Sequence, residues 1–165
     1  MMDTQTFFLL RFGDRSKLPE ALQQIEQLDG VARLTAVDGH YSLILESTDR
    51  SPKVADSLTK LDGFGLLHQC ELVAVEKNDA KLDETRRYCY VFVEVDKGEL
   101  DRVLSSLKDY ANIDLLVRTT GDYNIVARLH GKDFDEIDRL VAEEVGMLDG
   151  VLRLKSDRVI ELDTM

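Results

Sequence analysis

The sequence predicts an α+β protein of two tandem ferredoxin-like βαββαβ units whose sheets pack together, a covalent pseudo-dimer of the dimeric α/β-barrel kind. Three observations predict it. Two stretches with the same order of apolar patterns flank the polar segment Glu76 to Arg87. Positions in the first stretch recur 82 residues later, as Gly39 and Tyr41 do in Gly121 and Tyr123. The leading strand of each half is apolar or aromatic on both alternating faces, so neither face suits water. The predicted units are residues 1–76, the more divergent copy, and 88–165, with a linker at 77–87.

In chain order, Thr6 to Phe12 (TFFLLRF) is bulky, apolar and of strand length. Ser16 is placed to cap the helix that follows. Leu18, Ala21, Leu22, Ile25 and Leu28 form one apolar helical face, and Asp29-Gly30 ends it. Val31 to Val37, the turn Asp38-Gly39 and Tyr41 to Glu46 make a hairpin. Ser51-Pro52 opens a short helix carrying Val54, Leu58 and Leu61. Asp62-Gly63 stops it, and Leu66 to Val75 is the fourth strand.

The second half repeats this order. Tyr88 to Val95 is a strand with Cys89, Val91, Val93 and Val95 on one side and Tyr88, Tyr90 and Phe92 on the other. Asp96 and Glu99 suggest a capping pair. Leu100, Val103, Leu104, Leu107 and Tyr110 then match the apolar face of the first helix at an offset of 82. Ile113 to Thr119 and Tyr123 to His130 form the central hairpin. Its turn residues Gly121 and Asn124 are both types that tolerate positive φ. Asp133 and Glu136 suggest another capped helix, with Phe134, Ile137, Val141, Val145 and Leu148 inward. Asp149-Gly150 ends it and Val151 to Leu162 holds the last strand. Gly63 to Gly150 is an offset of 87, so the first unit's second helix is expected to be about five residues shorter.

Composition narrows the function. The net charge is −11, and the halves either side of residue 82 carry −4 and −7. No basic stripe is present to neutralise phosphates, which argues against direct nucleic-acid binding. No apolar run is long enough to span a bilayer and no signal-peptide pattern opens the chain. With only two cysteines, Cys70 and Cys89, a cytoplasmic protein without disulfides is expected. His40, His68 and His130 lack metal-ligand spacing, and no nucleophile elbow, phosphate loop or dinucleotide glycine motif occurs. No metal or cofactor is expected. Asp133, Asp135, Glu136 and Asp138 fall at a helix start, where acids are favoured, and lack the glycine of a calcium loop.

The candidate ligand residues lie in the two hairpin turns: Thr119, Thr120, Gly121, Asp122, Tyr123 and Asn124 in the second unit, and Asp38, Gly39 and His40 in the first. Asp122 could hold an amine, and Thr120 and Asn124 a carboxylate. Such residues are also what any hairpin uses. Ser42 replaces Asn124 in the first copy.

Strand Val91-Phe92-Val93, hairpin Thr119-Thr120-Gly121-Asp122-Tyr123-Asn124-Ile125-Val126 and the close Leu148-Asp149-Gly150-Val151 resemble the effector-binding domain of the Lrp/AsnC (leucine-responsive regulator) family. A weaker likeness runs through Val37-Asp38-Gly39-His40-Tyr41-Ser42-Leu43 and Leu61-Asp62-Gly63. The family often has Asp where this chain has Asn124 and Ser42. The resemblance implies pairing through open sheet faces, further oligomerisation, and small effectors, frequently amino acids, near the hairpin loops. Most members also carry an N-terminal helix-turn-helix. Here the first strand begins near Thr6, so that domain is expected to be absent.

The expectation is therefore a non-enzymatic sensor of a small-molecule effector of amino-acid type, working as a homo-oligomer or through a transcription-regulator partner without touching DNA or membrane. Two rivals stand beside it. One is an assembly module for full-length regulators of this family. The other is an enzyme, since paired ferredoxin-like sheets also serve small oxygenases and haem-handling proteins.

Overall fold

The protein is described by a computed structural model covering residues 3–49, 52–79, 83 and 85–160. It divides into two compact units, one reaching to Glu71 and including Ile160, the other Leu72–Val159.

In the first unit, β1 (Thr6–Phe12) leads through a 3-10 turn at Arg15–Lys17 into α1 (Leu18–Glu26). Then come β2 (Val31–Asp38), β3 (Leu43–Ser47), α2 (Pro52–Leu58) and the first part of β4 (Phe64–Asn78). β1 pairs antiparallel with β3 on one side, Phe8 opposite Leu45, and with β4 on the other, Phe8 opposite Gln69. β2 pairs with β3, giving the order β4-β1-β3-β2 of a ferredoxin-like sheet. Phe8, Leu10 and Phe12 lie under Leu18, Ala21 and Ile25 of α1 and Val54 and Leu58 of α2.

The second unit holds the rest of β4, then β5 (Arg87–Val95), α3 (Leu100–Lys108), β6 (Ile113–Gly121), β7 (Ile125–Gly131), α4 (Phe134–Leu140) and β8 (Val151–Ile160). β5 is central, with Tyr90 opposite Arg128 of β7 and Asp157 of β8, and β7 pairs with β6. Cys89, Val91, Val93 and Val95 pack under Val103, Leu104 and Leu107 of α3 and Ile137, Val141 and Val145 of the last helix. Burying each such side chain contributes about 1.5–3 kcal/mol. The opposite side chains of the central strands, Phe7, Leu9, Tyr90 and Phe92, are buried as well. Both faces of the central strands β1 and β5 are therefore shielded from water, as their composition predicts, whereas β2, β4 and β8 keep exposed positions.

Several local expectations are corrected. Asp14, not Ser16, caps the first helical turn, its carboxylate accepting from Ser16 N at 3.0 Å. A carboxylate is ionised and satisfies the open N–H better than a hydroxyl. Asp96 accepts from Gly98 N, while Glu99 turns away to Arg102 at 2.6 Å, so they form no reciprocal pair. The Asp133 cap forms as expected, on Glu136 N at 2.8 Å. β4 runs on to Asn78, so the start of the predicted linker is strand; Asp79 N donates to Asp114 O at 2.7 Å, which continues the backbone pairing beyond any apolar pattern. The return strand after Asp38-Gly39 begins at Leu43 rather than Tyr41. Ser51, linker residues 80–82 and 84, and Leu162 lie outside the described residues.

The offset of 87 also finds its cause. α2 and α4 are both seven residues, at an offset of 82. The five extra residues are a π-helical turn, Val141–Val145, which follows α4 and in which Gly146 N reaches back five residues to Val141 O at 2.8 Å.

Candidate functional site

The hairpin between β6 and β7 is built from the backbone outward. Gly121 has φ +108°, which only glycine adopts at low cost. Thr119 N donates to Asn124 O at 3.0 Å, and Thr119 Oγ1 donates to Tyr123 O at 2.9 Å. Asn124, though a residue type that tolerates positive φ, does not take it here. Its side chain faces β5, where Oδ1 accepts from Val95 N at 2.9 Å and Nδ2 donates to Val95 O at 2.8 Å. Both halves of the amide are thus occupied by backbone. Thr119 and Asn124 hold the loop's shape, and Tyr123, 1% exposed, anchors it against Phe92. What faces solvent is Thr120, Gly121 and Asp122.

Arg153 carries no local signal in the sequence. From β8 its Nη2 donates to Asp122 O at 2.7 Å, and its guanidinium lies 4.6 Å over the Tyr123 ring. Cation–π attraction and the carbonyl fix the cation beside the turn. Glu94 Oε1 stands 3.9 Å from Arg153 Nε, and both side chains are close to half exposed. The exposed turn is therefore flanked by one guanidinium and two carboxylates, Asp122 and Glu94. Such a set can meet a zwitterion, with ammonium towards the carboxylates and carboxylate towards the fork of Arg153.

The first unit's turn is built alike but furnished differently. Val37 N donates to Ser42 O at 3.0 Å, and Ser42 Oγ accepts from Phe12 N at 3.1 Å. This is the Asn124 clasp with one bond in place of two. Asp38 and Gly39 are exposed, while His40 stands edge-on to the Tyr41 ring at 4.7 Å. The Tyr41 hydroxyl meets His68 Nδ1 at 2.6 Å. At the offset of 87, Leu66 takes the place of Arg153; the guanidinium beside this turn is instead that of Arg15, whose Nη2 donates to Val37 O at 3.5 Å.

A second polar group lies on the β5–β6–β7 sheet of the second unit. A β-bulge between Ile113 and Leu115 re-aims Asp114. Arg128 Nε lies 3.1 Å from Asp114 Oδ1, both residues under 5% exposed. The Arg128 guanidinium also sits 5.9 Å from the centres of the Tyr88 and Tyr90 rings. Among the described residues, Asp114 Oδ2 and His130 Nδ1, 3.9 Å apart, have no hydrogen-bond partner. Burial pushes the Asp114 carboxyl above its ordinary range, against the pull of Arg128. Burial, and next the positive charge of Arg86, hold His130 below its ordinary value.

Cys70 and Cys89 are free and buried, and burial raises the Cys89 thiol to about 12, leaving it inert. Among the described residues no group of three or more His, Cys, Asp or Glu side chains is placed to hold a metal. No described helix is long and apolar enough to cross a membrane.

Residues 88–162 match the Lrp/AsnC ligand binding domain, so the family resemblance read from the hairpin holds for the second unit. No curated protein sequence matches the chain. Among solved structures, the siroheme decarboxylase NirDL superposes with a TM-score of 0.73 at 13% identity, over 94% of this chain and 71% of that one. Chlorite dismutase from Candidatus Nitrospira defluvii, in complex with imidazole, gives 0.61 at 10% identity, over 96% and 91%. Escherichia coli AsnC gives 0.45 at 15% identity; the likeness takes in 52% of this chain and spans 62% of that one. At these identities the two fuller superpositions establish a shared fold.

Proposed function

We propose that the chain is a small-molecule-sensing regulatory protein that binds an amino-acid effector at the second unit's hairpin. The observation that carries this reading is Arg153, held by the Tyr123 ring and Asp122 O beside an exposed turn, inside residues that match a ligand-binding domain. The effector's carboxylate would pair with Arg153 and its ammonium with Asp122 and Glu94. The first unit, where Leu66 stands in the place of Arg153, serves as a structural partner copy. Signal passes through oligomeric state or a bound regulator, because a ligand seated on one assembly favours that assembly. Native mass spectrometry with a pool of amino acids tests this. A retained ligand mass, lost in Arg153→Met and Asp122→Ala proteins of unchanged fold, supports the reading; a ligand retained equally by both variants removes the hairpin from it.

A second reading is catalytic, and the buried Asp114–Arg128–His130 group with its two tyrosines favours it. Titratable groups held off their ordinary values in one place are a common mark of active sites. One solved neighbour is a siroheme decarboxylase, and a buried guanidinium suits a substrate rich in carboxylates. Titration with iron-uroporphyrin, followed by its absorption band, decides. A saturable band shift abolished by Arg128→Met supports this reading, and an unchanged band excludes it for that substrate.

A further inference from the structure

The π-helical turn Val141–Val145 is the one segment of the second unit's αβ crossover without a counterpart in the first, where α2 is followed directly by the residues leading to Gly63. An added residue in a helix interrupts regular bonding, so such turns persist where something else is gained. Gly146 is what permits this one: a Cβ there would stand 3.1 Å from Ala142 O and 3.3 Å from Val141 O, tighter than a side chain normally sits.

The turn carries Glu144 and Val145 over a cavity of about 260 Å³, whose other walls come from the α3–β6 connection and β7. Ile113, Leu129 and Val145 are buried, and with Leu140 they make the floor apolar. The mouth is polar and acidic. Asp109 and Glu144 are exposed there, and burial, together with the Glu144 carboxylate, holds the Tyr110 hydroxyl above its ordinary value. The Asn112 amide donates to His130 O at 3.0 Å, leaving its oxygen as acceptor. Among the described residues, no Lys or Arg lines the space. The α3–β6 wall is pinned from behind by Lys77, whose Nζ donates to Tyr110 O at 3.1 Å.

We infer that this cavity is a second ligand site, separate from the hairpin, that takes a small primary amine with an apolar body. The body lies on Ile113, Leu129, Leu140 and Val145. The ammonium meets Glu144, with Asp109, the Tyr110 hydroxyl oxygen and the Asn112 oxygen as further acceptors. Its size, just under the roughly 300–1,000 Å³ of ordinary ligand pockets, limits the guest to a small molecule. The sign of its charge excludes a carboxylate of the same shape, since burying a like charge beside two carboxylates is unfavourable.

The test uses the full chain and two probes of one shape and opposite charge, phenethylamine and 3-phenylpropionate, followed by amide NMR shifts. Phenethylamine should shift Tyr110, Asn112 and Glu144 saturably while 3-phenylpropionate does not. Glu144→Gln, an exposed change that spares the fold, should weaken phenethylamine about tenfold or more, the scale of a charge-assisted bond. Asp122→Ala in the hairpin should leave it unchanged, which keeps this site's outcome apart from that of the hairpin. Equal response to both probes, no saturation below about 10 mM, or undiminished binding in Glu144→Gln overturns the inference.

Discussion

Asn124 grips Val95 at both backbone groups, accepting from its N–H at 2.9 Å and donating to its C=O at 2.8 Å. The start of β7 is thereby closed onto the end of β5. Only a primary amide provides donor and acceptor at that reach. Asn124→Asp keeps the acceptor, loses the donor and sets a carboxylate against a carbonyl. It should cost about 1–3 kcal/mol, or roughly 2–10 °C in Tm. Ser42→Ala, which removes the single bond to Phe12 N, should cost less, about 0.5–1.5 kcal/mol. Thermal unfolding of both variants checks this; an Asn124→Asp protein with unaltered Tm but no ligand response would make Asn124 a binding residue after all.

Gly63 and Gly150 do the same work at the ends of their loops. Gly13 N donates to Gly63 O and Asp96 N to Gly150 O, both at 2.9 Å. The two glycines have φ of +85° and +96°. A Cβ on Gly150 would come within 2.6 Å of Glu99 Cβ, and one on Gly63 within 2.8 Å of Lys17 Cβ. Gly63→Ala and Gly150→Ala should each destabilise by about 1–3 kcal/mol in urea unfolding. Gly13→Ala, with nothing within 4 Å, is the control and should stay within about 0.5 kcal/mol.

The elements were legible where the chain's own pattern decides them. The run TFFLLRF could only be a strand, and β1 has those bounds. The matched apolar faces of α1 and α3 pack as their spacing demands. The misses share a cause: contacts between residues far apart in sequence leave no local trace. Arg153 reaches Asp122 from another strand, 31 residues on. Asn124 suited a turn, a ligand or a clasp equally until folding brought Val95 across from it. The π turn hid because Ile137, Val141 and Val145 keep helical spacing whichever way the backbone bonds. β4 outran its apolar pattern because backbone pairing, not side-chain burial, sustains its last residues.

The Arg128–Asp114 pair predicts non-additive stability. Arg128→Met leaves a carboxylate buried without its partner, a loss of about 3–5 kcal/mol by urea unfolding. Arg128→Met with Asp114→Leu removes both charges and should recover most of that loss. If the double variant is no better than the single one, the tyrosine rings packed on Arg128, and not its charge, account for its role.

His130 predicts how stability moves with pH. Its surroundings are Arg128 on its own strand, Asp114 on β6, Lys77 on β4, Arg86 just before β5, and the Tyr88 ring on β5. Burial and three cations oppose a further positive charge, and Asp114 favours it. The net effect holds the folded imidazole below its ordinary value of about 6.5. The unfolded chain therefore takes up a proton first. The contribution is fully present above about pH 6.5 and is lost as pH falls through the folded value. Wild-type stability should drop between about pH 7 and pH 5, and His130→Gln should drop less over the same range. Urea midpoints at both pH values measure the difference, and NMR titration of the imidazole should give a midpoint below about 6.5. Equal pH slopes for the two proteins would mean that protonated His130 draws Asp114 into a full ion pair across the present 3.9 Å and recovers its cost there.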